Sequence, residues 1–258
     1  MSLLRSIILS FFTLFSFSIF AKSPDILIKN ATVVTSTEIG VLDETDVLIQ
    51  NGKISLIGQN INNDEAMIIE AKGRVLTPGL ISQVTNLGLI EIELEAETRD
   101  DRTDHFSAGF SISSAFNPSS TLIPYNRASG ITSGIVFPSS GRGDIFSGLG
   151  SAFKTHGEID TKSIATDIAM VMQMGGNRDS RASNFLELED AFIKAKEFKK
   201  SRGMIQRGGF FDTGEYSERD LEALLGLMEE GKPLIVKTNR ASDMLRMIEF
   251  SQKYDLNI

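Results

Sequence analysis

Not one cysteine occurs among the 258 residues, and histidine occurs only twice, at His105 and His156. The first absence excludes disulfides, so an exported form of the chain would be held by its core alone, which favours a large domain over a small stapled one. Together the two absences leave a catalytic zinc centre of the usual nitrogen and sulfur type with almost nothing to use. Basic charge is also short: 26 Lys and Arg stand against 34 Asp and Glu, for a net charge of −8. An acidic surface argues against nucleic acid as a partner, and neither a zinc-finger spacing nor a basic aromatic platform appears. There is no phosphate-loop spacing and no Gly-X-Ser-X-Gly elbow. No convincing internal repeat or low-complexity tract occurs either. What is present is 41% hydrophobic and 23% charged, the composition of a globular chain with a sizeable core.

The one long apolar run is at the start. Met1 to Arg5 is short and positive, Ser6 to Phe20 is almost unbroken Phe, Leu and Ile among small residues, and Ala21 precedes a polar region. That is the layout of a secretory signal peptide over 1–21 with cleavage after Ala21, although Ile19 is bulkier than the residue usual at that place. A retained membrane anchor is the alternative, but the stretch is shorter than the ~20 residues that comfortably span a bilayer. The expectation is a periplasmic or secreted protein with no stable membrane span after cleavage.

Residues 22–79 read as short β-strands. Ile26-Leu27-Ile28 leads into Ala31 to Thr35, and Asp46 to Gln50 and Lys53 to Ile57 flank Asn51-Gly52, a pair suited to the positive φ angles of a tight hairpin. Met67-Ile68-Ile69 and Arg74-Val75-Leu76 add two more. From residue 80 strands alternate with helices, which predicts parallel β/α units. The strands are Leu80–Thr85, Ile131–Phe137, Asp167–Gln173 and Pro233–Thr238. Phe185 to Lys200 is dense in helix formers, and Ser217 to Asp220 opens a helix with a capping-box-like start that Gly231 and Pro233 end. Ser242 or Asp243 caps a last helix to about Tyr254, and Asp255 to Ile258 looks like the start of another strand. Met170, Met172 and Met174 alternate at strand period and read as packing.

The sharpest motif is Thr77-Pro78-Gly79-Leu80-Ile81-Ser82-Gln83-Val84-Thr85-Asn86-Leu87-Gly88. It resembles the first barrel strand of the amidohydrolase superfamily, where an His-X-His pair aims two imidazoles at one metal from one face of a strand. Here the two histidine positions hold Val84 and Asn86. Valine has no lone pair to give, and an asparagine amide is a poor ligand for a zinc-like ion. The wider resemblance is to exported, imidazolonepropionase-related amidohydrolases. It runs through Gly88 to Ile92, the acidic loop Glu93 to Asp104, Phe116 to Ser120, Ile123 to Thr132, Pro138 to Gly141 with Phe146 to Gly148, and Gly231 to Asp243. In the last block the family has a histidine where this chain has Lys237, and an ammonium opposes a divalent cation.

The resemblance implies an α/β fold: a small β-sandwich domain over 22–79, then the N-terminal half of a (β/α)8 barrel over 80–258. About four β/α units are legible where a closed barrel has eight. A half barrel leaves two sheet edges and an apolar interior open, so the sequence is a fragment, the gene is truncated, or another chain completes the barrel. The first two are preferred.

No catalytic, cofactor-binding or metal-ligating residue is assigned, and no cofactor is expected, although relatives use zinc or a similar ion. Lys237 is expected to fill the vacated metal space and neutralise nearby carboxylates; a carbamylated Lys237 bridging metals would still need histidines around it. His105, beside Asp100, Asp101 and Asp104, reads as part of a solvated loop balanced by Arg99 and Arg102, and His156 as a turn residue. Glu93 and Glu95 read as exposed acidic loop, and Pro138 to Gly150 as a flexible loop at the barrel mouth. The leading function is an exported homologue without its metal site, a pseudoenzyme or scaffold that binds a small molecule or pairs with a homologous chain. The alternative is a metal-dependent hydrolase of carbon–nitrogen bonds with ligands supplied from elsewhere.

Overall fold

A computed structural model describes residues 24–141, 144–176 and 179–258, so the apolar leader over 1–21 lies outside the described residues. The chain divides into two compact units after Pro78.

The first unit contains β1 (Ile26–Val34), β2 (Val41–Gln50), β3 (Lys53–Gly58), β4 (Met67–Glu70) and β5 (Val75–Leu76). These form one sheet of order β3-β2-β1-β4, with β5 pairing the second half of β1. The expected sandwich is thus a single sheet among the described residues, with a small apolar cluster on each face: Leu27, Leu48 and Ile61 on one, Ala31, Val33, Val47 and Ala71 on the other. The two strands expected at residues 26–28 and 31–35 are one strand, bulged where Asn30 takes φ 53°. Asp46 stabilises that bulge, its carboxylate accepting from the Asn30 and Ile61 amides at 2.9 and 3.0 Å. Asn51 and Gly52, at φ 51° and 72°, turn β2 into β3 as expected.

The second unit contains β6 (Leu80–Thr85), α1 (Leu122–Ala128), β7 (Ile131–Val136), β8 (Phe146–Lys154), β9 (Ser163–Gln173), α2 (Arg181–Ile205), α3 (Glu218–Glu229), β10 (Leu234–Lys237) and α4 (Ala241–Tyr254). Its open sheet has the order β10-β9-β8-β7-β6. The fold is the α/β class expected, part of a barrel sheet preceded by a β unit. The four strands expected as parallel do run parallel, but β8 lies between β7 and β9 and is antiparallel to both. The second connection is therefore made by a strand. Residues 146–150, expected as mouth loop, are buried strand.

Strand alternation sorts the sheet into two faces. Met170 and Met172 of β9 and Met174 just after it, with Leu234 of β10, pack under α2, α3 and α4 in the main core. Phe192 of α2 anchors that core, its ring edge-on to Phe250 at 5.2 Å and tilted against Tyr254 at 5.1 Å. The opposite face carries Phe137, Ala169 and Val171, with Ile135 and Ile235 beside them.

Helix starts follow side-chain capping in two cases. The Ser180 hydroxyl accepts from the Ser183 amide, and Ser217 and Asp220 form a reciprocal capping box. The third expectation is corrected: Arg240 occupies the N-cap of α4 without a side-chain bond, because Asp243 is taken by an ion pair with Arg181 at 2.8 Å. Asp255 to Ile258 is not a strand; Asp255 turns the chain at φ 54°, and the Asn257 carbonyl accepts from the Leu234 amide. Among the described residues no helix is long and apolar enough to cross a membrane.

Candidate functional site

Because β6, β7, β9 and β10 run parallel, their C-terminal ends lie at one end of the sheet. Val84 and Asn86 sit at that end of β6 and Lys237 at that end of β10, but β6 and β10 are the outer strands with three others between them. The sequence placed these residues at the correct end and did not show their separation.

The local backbone also differs from the alternation that a histidine pair would use. Val84 takes φ 50°, the pairing with β7 shifts between Ser82 and Thr85, and Asn86 begins a turn closed by the Leu89 amide. A β-branched residue in the left-handed region is strained by about 1–2 kcal/mol. Val84 is 44% exposed, so little apolar burial offsets that strain. Val84→Asn is therefore expected to raise stability by about 1 kcal/mol, since asparagine tolerates this region. Urea unfolding of the two proteins checks it; a loss of stability would mean that the turn is not strained.

Among the described residues Lys237 pairs with no carboxylate and makes no side-chain hydrogen bond; its carbonyl accepts from the Met174 amide at 2.8 Å. The carboxylate nearest in sequence, Asp243, belongs to Arg181. Lys237 pairs in register with Gln173 of β9 and stands two residues beyond Ile235. It lines a cavity of about 250 Å³ with Gln173, Gly175, Gly176, Thr238 and Asn239.

Neither the histidines nor the acidic loop is among the residues that line this cavity. His105 is exposed and donates its amide to Thr103 Oγ1, while His156 Nδ1 accepts from the Glu158 amide in an exposed turn. Glu93 and Glu95 are exposed, as expected. Asp101 is not part of a solvated loop: it is fully buried and held by Arg99.

The sequence reading missed Glu187, nearly two turns into α2. It lies in a groove with Asp179, Asp190, Glu215 and Tyr216. Burial pushes its carboxyl up to about 7 against a hydrogen bond from the Ile145 backbone, with Asp144, Asp179 and Glu215 adding repulsion. Burial, and then Glu187 itself, pushes the Tyr216 hydroxyl up to about 12. A carboxyl that gains its proton more readily in the folded state stabilises the fold at low pH, and that contribution fades between about 4.5 and about 7. Glu187→Gln should match the parent at pH 5 and exceed it at pH 8 by about 1 kcal/mol after solvent screening of a half-exposed group. Denaturant melts at the two pH values decide; equal differences at both would remove the assignment.

A metal does not fit the residues present. The three aligned positions offer an alkyl group, an amide and an ammonium, and among the described residues no three His, Cys, Asp or Glu side chains converge as a ligand set.

No family model matches the chain. Its fold is similar to that of a Thermotoga maritima protein whose structure is titled an amidohydrolase, with a TM-score of 0.75 and 26% identity over 90% of this chain and 63% of that one. In sequence it is 38% identical over 104 residues to the D-hydantoinase of Geobacillus stearothermophilus, covering 38% of this chain and 19% of that enzyme. It is 46% identical over 55 residues to the dihydroorotase of Halalkalibacterium halodurans, covering 21% and 12%. With the 5'-deoxyadenosine deaminase of Methanosarcina acetivorans it shares 41% identity over 66 residues, covering 25% and 15%. The matched segments thus span less than a fifth of each of these three enzymes.

Proposed function

The chain belongs to the amidohydrolase superfamily, and from that premise we propose that it is an exported homologue without the metal site, a catalytically inactive binding or scaffold protein. The observation that carries this reading is the set of side chains at the strand ends, Val84, Asn86 and Lys237. Metal-assisted hydrolysis needs imidazole, carboxylate or similar donors to hold an ion that activates water. An ammonium at one of those positions opposes a divalent ion instead. Retention of the flanking blocks without the donors suits a protein that keeps a mouth cavity and binds there without turnover. A homologous chain pairing along the outer strands β6 and β10 would supply the scaffold role, and the leader over 1–21 supports export.

The deciding experiment is elemental analysis of the purified full-length protein with a hydrolysis assay on hydantoin and dihydroorotate. The expected result is zinc well below one equivalent and no turnover above the buffer rate. About one equivalent of tightly held zinc with hydrolysis of either cyclic amide would establish a working carbon–nitrogen hydrolase and sink this reading. Export is checked separately, by N-terminal sequencing of the protein from its source, where the mature chain should begin at Lys22.

A further inference from the structure

We propose that the cavity at the C-terminal ends of β9 and β10 is an oxyanion-binding site, with the Lys237 ammonium in place of the metal and a small carboxylate as its ligand. The inference deepens the metal-free reading and rests on it.

The argument is a hydrogen-bond account of the cavity wall. Each acceptor that can be followed there is already used from within the protein. Gln173 Oε1 faces the Ser140 hydroxyl at 3.4 Å, and that hydroxyl is 2.8 Å from Ser147. Gln173 Nε2 donates to the Gly175 carbonyl at 3.1 Å, which fixes the orientation of the amide and leaves its second hydrogen free. Asn239 is oriented in the same way. A guanidinium can only donate, so Arg181 Nη2 at 3.0 Å marks the facing atom as Oδ1 and leaves the Nδ2 amine without an acceptor among the described residues. The Lys237 carbonyl accepts from Met174, and the Thr238 hydroxyl leans on Asp243 at 3.5 Å.

The side-chain donors left for a ligand are the Lys237 ammonium, one Gln173 N–H and the Asn239 amine. Among the described residues the lining carries one formal charge, and it is positive, in a chain whose net charge is −8. Donors that line one cavity with an unpaired cation suit a group with several lone pairs and a negative charge. The wall is also braced. Arg181 ties α2 to α4 through Asp243 and Asn239, and its guanidinium carbon would lie 2.7 Å from a Cβ at Gly175, which holds φ 75°. A cavity of about 250 Å³ admits a small acid and not a polymer. Carboxylate and phosphate share the chemistry that these donors recognise, so both are needed as probes.

The test is an amide-resolved NMR titration of the isotope-labelled full-length protein at constant ionic strength with sodium acetate, sodium phosphate and neutral acetamide. The expected result is a saturable shift of the Gly175, Gly176, Thr238 and Asn239 signals with acetate and none with acetamide. A response to phosphate stronger than to acetate keeps the oxyanion site and overturns the carboxylate assignment. Lys237→Gln should weaken acetate binding at least tenfold, by loss of the charge, while Lys237→Arg stays within about threefold. Failure of both anions to shift these signals, an equal response in Lys237→Gln, or a carbamyl adduct on Lys237 by intact mass overturns the proposal. Zinc analysis of the same sample separates the two readings: a metal-loaded protein sinks the metal-free function, and a metal-free protein that ignores both anions sinks this site alone.

Discussion

Asp101→Ala is expected to lower stability by about 3 kcal/mol, because it strands a guanidinium that the fold has largely withdrawn from water. Asp101 is 0% exposed, and Arg99 meets it with Nε at 3.2 Å and Nη2 at 3.0 Å. The hydrogen bond to Asp101 is the main cause that raises the Arg99 pKa further above its ordinary value. The third guanidinium nitrogen donates to the Glu93 carbonyl at 2.9 Å, so a single arginine closes the acidic loop on itself. That loop in turn positions the mouth, since the Asp101 carbonyl accepts from the Ser139 amide at 2.7 Å and Ser140 follows directly. A buried pair contributes little relative to an apolar replacement of both members, but breaking it from one side is costly. The double substitution Arg99→Met with Asp101→Leu should therefore recover most of the loss. A chemical-denaturation cycle over the four proteins gives the coupling. A loss below about 1 kcal/mol for Asp101→Ala would place the pair among ordinary surface ion pairs.

The same residue marks where the sequence was legible and where it was not. Strands with strong apolar patterns, the Asn51-Gly52 turn and the Ser217 capping box were readable because each is fixed by neighbours close in the chain. Asp101 looked like one more acid in a charged loop, since nothing in Arg99-Asp100-Asp101-Arg102 says which carboxylate turns inward. Asp243 looked like a cap until the distant Arg181 claimed it. The alternation that would make residues 84 and 86 share a face assumed a regular strand, and the positive φ at Val84 breaks it. At the candidate site the sequence supplied Lys237 and the lack of donors at positions 84 and 86. It did not supply Gln173 or Asn239, whose free hydrogens follow from partners at Gly175 and Arg181 that only the fold brings together. Glu187 escaped notice for a related reason: its environment is assembled from segments 144–145, 179 and 215, and a helix glutamate has no local sign of burial.

Gly148→Ala is the other large expected effect, a loss of about 3 kcal/mol or more, and it bears on the strand whose first half, to Gly150, the sequence reading took for loop. Phe146 to Lys154 is rich in glycine and serine, which locally favours turns. The strand forms because its small residues let other chain segments come close. Gly148 holds φ 119°, and a Cβ there would lie 2.3 Å from the Phe110 carbonyl oxygen and 3.0 Å from the Phe110 Cβ. That carbonyl accepts from the Leu149 amide at 2.7 Å, so an alanine must either strip this bond or displace β8 between β7 and β9. Gly157→Ala is the matched control. Its φ is also positive, at 83°, but its nearest neighbour is the tip of the Arg127 side chain at 3.2 Å and no backbone atom lies closer, so about 1 kcal/mol is expected there. Thermal and urea melts of both variants measure the difference, and equal losses would mean that backbone strain alone acts at Gly148. The consequence reaches the cavity through the adjacent residue. Ser147 holds Ser140, and Ser140 holds the Gln173 oxygen, so a displaced β8 frees that acceptor to face the ligand space. Acetate binding to Gly148→Ala, measured where the variant is still folded, should therefore weaken along with its stability, whereas in Gly157→Ala it should not change.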